Sequence, residues 1–219
     1  MFLAIFNWFV KITGWIPQLI VMRNRIHYED KKIQSRKIKG KAIVVSNLNS
    51  VMDFAVMMYV FRSRTLRCVV AEILYQKNVF FTLFLKMMGT ICVNRKEQDF
   101  GFIEKSAAIL EKGGVVEIYP EARLPKKDEE RPLPFTPSTV YFALRTGAPI
   151  IPGYNTRSGL STKTCDVIIG KPIYLRELYD ESLSEKQNID NLNQFLRGRI
   201  IELGKQLQGN ESQKETVRL

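Results

Sequence analysis

The chain has 219 residues, 45% of them hydrophobic, enough to bury the core of one α/β domain, and no internal repeat or low-complexity tract interrupts it. Cys68, Cys92 and Cys165 are odd in number and widely spaced, and the one histidine is His27; this argues against a disulfide framework, suits reduced thiols, and excludes a His-based metal site. The net charge is +11, but with no nucleic-acid-binding motif and no Gly-x-x-x-x-Gly-Lys-Ser/Thr loop, neither nucleic acid nor a nucleoside triphosphate is an expected partner.

The first 22 residues place Phe2, Phe6, Trp8, Phe9 and Trp15 among Leu, Ile and Val. A signal peptide would want a basic start and a small-residue cleavage site, and neither is there. A spanning helix would want about 20 apolar residues in a row, whereas Asn7, Lys11, Gly14, Pro17 and Gln18 break this run. The reading adopted is an interfacial helix or short helix pair, with Trp and Phe at headgroup depth and Lys11 snorkelling outward. A tilted span and an ordinary packing helix are the alternatives. Residues 1–41 carry nine Lys or Arg against Glu29 and Asp30. Basic residues beside an apolar helix attract anionic headgroups, at roughly 1 kcal/mol each near the surface. Residues 1–38 are therefore read as a membrane-associating helical segment with a basic linker, and His27 as a surface histidine within it.

From 39 to 208 the pattern is that of a single α/β domain. Strands are predicted at 42–46, 66–71, 91–94, 115–119 and 149–154, with one or two more at 165–169 and 173–174. Helices are predicted at 53–60, 79–88, 100–112, 138–146 and 188–207, and a polar loop at 125–134. Gly89 and the Gly113-Gly114 pair supply C-terminal stops. Residues 209–219 read as a polar tail expected to fray. The alternation predicts a central mixed, largely parallel sheet flanked by helices, with polar segments just beyond strand ends, where such folds build their sites.

Four of those segments carry a resemblance. Ser46-Asn47-Leu48-Asn49-Ser50-Val51-Met52-Asp53 resembles the His-x4-Asp motif of the glycerol-3-phosphate and lysophosphatidate acyltransferase family, usually Ser-Asn-His-x-Ser-x-x-Asp. Gly89-Thr90-Ile91-Cys92-Val93-Asn94-Arg95 resembles its second block, Gly-x-x-Phe-Ile-x-Arg. Tyr119-Pro120-Glu121-Ala122-Arg123 is similar to the third, Phe-Pro-Glu-Gly-Thr-Arg, and Ala148-Pro149-Ile150-Ile151-Pro152 to the fourth, Val-Pro-Ile-Val-Pro. There are two departures. Leu48 stands where the histidine belongs, and the arginine of the third block follows its glutamate by two positions instead of three.

The resemblance implies an enzyme of phospholipid biosynthesis that moves a fatty acyl group from acyl-CoA or acyl-carrier protein to the hydroxyl of lysophosphatidate or a related glycerol phosphate. It implies no bound cofactor or metal, and a place on the cytoplasmic face of a membrane. In the family the histidine takes the hydroxyl proton and the aspartate, here Asp53, orients the ring. Arg95, Glu121 and Arg123 would bind the phosphorylated acceptor, with Lys126, Lys127 and Arg131 as an anion-attracting rim. Leucine has neither lone pair nor proton, so catalysis is expected to be impaired. The alternative is a non-catalytic lipid or acyl-carrier binding module. Taken without the resemblance, Asp53 would be a helix N-terminal carboxylate, Arg95 a surface arginine, and Glu121 with Arg123 a structural salt bridge.

Overall fold

The computed structural model describes residues 2–21, 23–76, 78–94, 101–156 and 164–216. Two short helices, α1 (Phe2–Thr13) and α2 (Trp15–Val21), lead into β1 (Asn24–Tyr28) and β2 (Ala42–Ser46). There follow α3 (Asp53–Val60), β3 (Leu66–Ala71), α4 (Val79–Met88), β4 (Ile91–Val93), α5 (Gly101–Glu111), β5 (Val115–Ile118), α6 (Ser138–Thr146), β6 (Ile150–Asn155), β7 (Cys165–Ile169) and α7 (Glu185–Thr216). The strands make one sheet in the order β1-β7-β6-β2-β5-β3-β4. Neighbours are parallel throughout except β6 and β7, which run antiparallel. This is the α/β architecture that the alternation predicts.

β2 and β5 lie inside the sheet and are covered on both faces, which explains why Ile43-Val44-Val45 and Val115-Val116 are apolar without alternation. Alternation sorts those residues between two apolar layers. Ile43, Val45, Val116 and Ile118 pack with residues of α5, α6 and α7. Ala42, Val44 and Val115 pack with α3 and with side chains of α1 and α4. The layer on α1, α3 and α4 is the one that matters for the site.

Three features differ from the sequence reading. The basic linker contains a strand: β1 adds to the sheet edge beside β7, where Arg25 and His27 both reach Asp166, His27 Nε2 lying 2.6 Å from its Oδ1. His27 is thus a half-buried partner of a carboxylate, not a free surface group. Period-2 patterning is faint in Asn-Arg-Ile-His-Tyr because the strand is held by charge at an edge. Helix α7 runs past the expected end at Leu207 to Thr216.

The third difference is α1. Two of its polar residues face inward with Phe6 and Val10, while several of its large apolar residues face outward. Asn7 and Lys11 are buried, while Ile5, Trp8, Phe9 and Ile12 are exposed, as are Trp15, Ile16, Leu19 and Ile20 of α2. Lys11 does not snorkel outward. Its Nζ donates to the carbonyls of Arg62 and Arg64, at 3.2 and 2.5 Å, the loop after α3 offering acceptors that water would otherwise supply. Gly14, between α1 and α2, allows the close approach: a Cβ there would lie 2.2 Å from the Tyr59 hydroxyl. Three of the residues that interrupt the apolar run, Asn7, Lys11 and Gly14, lie against the domain. Other cations of the basic segment also serve the fold, Arg36 on the Tyr59 and Val60 carbonyls and Lys41 on that of Thr146. Arg23, Lys31, Lys32, Lys37 and Lys39 remain exposed. Among the described residues, no helix is long and apolar enough to cross a membrane.

Candidate active site

β2 ends at Ser46 and α3 begins at Asp53, so residues 47–52 form a turn at the sheet edge. Two carboxylates hold its backbone, and the main chain of Asn155 holds two of its side chains. Asp53 is fully buried, and its Oδ2 accepts the N–H groups of Asn49 (2.6 Å) and Ser50 (3.0 Å). Glu121 Oε1 accepts the N–H of Leu48 at 2.7 Å, and its Oε2 that of Leu133 at 2.8 Å. Asn155, at the end of β6, donates its backbone N–H to Asn47 Oδ1, and its backbone carbonyl accepts the side-chain amides of both Asn47 and Asn49. The successive backbone amides of Leu48, Asn49 and Ser50 are thus fixed by two carboxylates, and the flanking side chains of Asn47 and Asn49 by the main chain of Asn155, leaving little freedom at position 48. Asn155 and Asn49 are absent from the motif reading. The available signal was a polar residue closing an apolar strand three positions after the fourth block.

The sheet brings the blocks together. Val45 lies beside Pro152 of the fourth block and Ser46 beside Gly153 just after it, and β2 pairs on its other edge with β5, which leads into the third. Burial raises the Glu121 carboxyl above its usual range, opposed by the two amides it accepts. Arg123 is exposed and forks onto Glu129 with contacts of 2.6 and 2.8 Å, holding that carboxyl down to about 2. Lys126, Lys127 and Arg131 are exposed in the same loop. Arg95 lies outside the described residues.

Ala122 occupies the place of the family's glycine, with φ +59°, a left-handed conformation that an L side chain adopts at a cost of about 1–2 kcal/mol. Ala122→Gly is expected to raise stability by up to about 1 kcal/mol, the relief being partly offset by a more flexible unfolded chain. Urea unfolding checks it. A lower midpoint would mean that the loop does not hold this conformation.

Below the turn lies a cavity of about 890 Å³. Leu48 and Phe54 line it at the turn, Val10 and Gly14 on the N-terminal helices, and Phe81 and Leu85 on α4. One wall is polar. Tyr119 lines the cavity, and its hydroxyl donates to Glu117, a carboxyl only 1% exposed in the middle of β5. Burial pushes Glu117 up to about 8; the Tyr119 hydrogen bond and the Lys11 ammonium oppose the shift, and the charge of Asp53 adds to it. Lys11 is itself lowered to about 8, chiefly by burial.

These groups set opposite pH slopes. An unfolded glutamate releases its proton near 4.3, so between about 4.5 and 8 the folded chain holds the extra proton and stability falls as pH rises. Lys11 does the reverse between about 8 and 10.5, where the unfolded chain holds the extra proton and stability rises with pH. Glu117→Gln is expected to remove most of the fall below pH 8, a difference on the order of a few kcal/mol between pH 5 and 8. Urea melts at the two pH values test it; an unchanged slope would place the titrating group elsewhere.

With this geometry in view, comparison with known proteins is informative. The family model described as Acyltransferase matches residues 25–155, more than half the chain and all four blocks. The chain belongs to the acyltransferase family. Among solved structures, the 1-acyl-sn-glycerophosphate acyltransferase PlsC from Thermotoga maritima matches with a TM-score of 0.58 at 16% identity, over 92% of this chain and 79% of that one. At that identity the match speaks for the fold, which the two share.

Proposed function

We propose that this member of the family is a lysophosphatidate-type acyltransferase, peripheral to the cytoplasmic face of a membrane, whose catalysis is impaired by Leu48. One observation carries the reading: a turn fixed by Asp53, Glu121 and Asn155 presents position 48 to a large apolar cavity. A cavity lined mainly by apolar side chains suits an acyl chain, and its contact with Leu48 would bring the thioester to the turn. The acyl donor is acyl-CoA or acyl-carrier protein, and the acceptor a lysophospholipid or related glycerol phosphate.

The reaction needs the acceptor oxygen to lose its proton as it attacks the thioester carbonyl, with the thiol as leaving group. An imidazole at position 48 would take that proton and return it to the departing sulfur. Asp53, five residues on in the same turn, would hold the ring's tautomer. Leu48 does neither. Glu121, held by two backbone amides, acts on this reading by fixing the turn. Arg123 would reach an acceptor phosphate only by exchanging it for Glu129, a fair exchange for a guanidinium fork. Arg95 remains the proposed principal phosphate ligand.

Leu48 itself favours a second reading, a non-catalytic module that binds lipid or acyl carrier on the same surface. Acyl transfer from acyl-CoA or acyl-carrier protein to lysophosphatidate, measured with the unaltered chain and with Leu48→His, separates the two. Transfer restored by the imidazole supports the enzyme; binding without transfer in both supports the module.

A further inference from the structure

The N-terminal helices are not the only apolar surface. Helix α4 starts at the N-cap Asn78, whose side chain accepts the N–H groups of Phe80 and Phe81. This fixes the first turn so that Phe81 faces the cavity while Val79 and Phe80 stand outward, 82% and 84% exposed, with Leu83 one turn further on the same side. The cavity wall continues into residues that line it and are also exposed: Val51 of the 47–52 turn, Ile73 just before α4, and Leu124 after the third block. Residues that do both mark the rim of an opening. Three separate segments have thus placed a large apolar side chain at the edge of one cavity.

We propose that this rim and the outer face of α4 form a second membrane-inserting surface, separate from α1 and α2, that seats the cavity opening in the hydrocarbon of an anionic bilayer. Lipid chains would then pass between bilayer and cavity without crossing water. Charge points to lipid as the occupant. Exposed cations follow the apolar residues along the chain: Lys126 and Lys127 after Leu124, and Lys86 three residues after Leu83 on α4. Cations around apolar side chains match headgroup phosphates above acyl chains. The neighbouring α1, with Asn7 and Lys11 turned inward and Trp8 and Phe9 outward, follows the same polarity. The purpose of the surface rests on the lipid-acyltransferase reading, but its existence does not, and the test needs no activity.

The probe is a vesicle of phosphatidylcholine and phosphatidylglycerol carrying brominated acyl chains. In a full-length Trp8→Phe, Trp15→Phe background, Phe80→Trp supplies a single indole on α4. On vesicle binding its emission is expected to shift to the blue and to be quenched by bromine. Val79→Asp with Phe80→Asp, both at exposed positions outside the cavity wall, is expected to lower the vesicle partition coefficient about tenfold or more, since two buried apolar side chains are lost. A chain that sediments with vesicles while the indole stays unquenched binds through α1 and α2 alone and overturns the proposal. An indole already shielded without vesicles, in a concentration-dependent dimer, overturns it in favour of a second copy. A chain that ignores vesicles altogether overturns this proposal together with the membrane reading. Failure of Leu48→His to transfer acyl groups while the indole is quenched would count against the enzyme and leave this surface standing.

Discussion

Leu48→His is expected to raise acyl transfer to lysophosphatidate or glycerol 3-phosphate by about two orders of magnitude or more, because on the proposed reading it supplies the general base that the turn lacks. The backbone at 48 is fixed by Glu121, and the amides after it by Asp53, so a new side chain there inherits a defined direction. Asp53 is buried beneath the same turn, and on the proposed reading it would orient the ring. Leu48→Gln, similar in size but without a base at neutral pH, is expected to stay at the level of the unaltered chain. That comparison separates a missing base from a missing shape. The assay follows labelled acyl groups from acyl-CoA and acyl-carrier protein into phospholipid. A folded Leu48→His chain that binds vesicles and transfers nothing, with either donor and several acceptors, sinks the enzyme reading. Ordinary turnover by the unaltered chain would show that position 48 does not supply the base.

The second large effect is on stability. Glu121→Ala is expected to cost about 2–4 kcal/mol, because the amides of Leu48 and Leu133 lose their acceptor where water has poor access. The cost of burying the carboxylate, visible as its raised pKa, is recovered and keeps the loss below the sum of two charged hydrogen bonds. Glu121→Gln retains one acceptor oxygen and is expected to lose about half as much. Arg123→Ala removes an exposed ion pair and is expected to leave the urea midpoint unchanged within error. If Glu121→Ala unfolds at the same urea concentration as the parent, the carboxylate does not hold the two loops together. The pair also discriminates roles for the third block. A phosphate-binding Glu121 would affect KM for the acceptor more than stability, whereas a turn-fixing Glu121 affects stability first.

The strands that build the site were legible because their signals are local. Ile43-Val44-Val45 and Val115-Val116 announce buried strands whatever they pair with, and Gly89, at φ +68°, closes α4 where the sequence places a stop. The positions of Leu48, Asp53 and Glu121 were also legible, because each lies in a short block beyond a strand. Their hydrogen-bond partners were not. Glu121 meets Leu48 across 73 residues, and Asn155 meets Asn47 across 108. A sequence window carries no record of which loops the sheet order brings side by side. Arg123 reads as a partner for its neighbour Glu121, yet the fold gives it Glu129.

The N-terminus shows the same division. Composition alone marks residues 1–22 as apolar, aromatic and interrupted by polar groups, and marks the stretch after them as basic. Which way each group faces was decided by the domain. Lys11 turns inward because the Arg62 and Arg64 carbonyls wait there, Arg36 reaches the carbonyls at the end of α3, and Arg25 pairs with Asp166 from an exposed position. What the sequence determines by itself is the inventory: the strand and helix order from residue 42 onward, the motif positions, the absence of a histidine at 48. What only the tertiary structure decides is pairing, meaning which amide a carboxylate holds and which apolar side chains are left without cover. Local propensity acts over a few residues, whereas burial and hydrogen-bond satisfaction are properties of the packed chain as a whole.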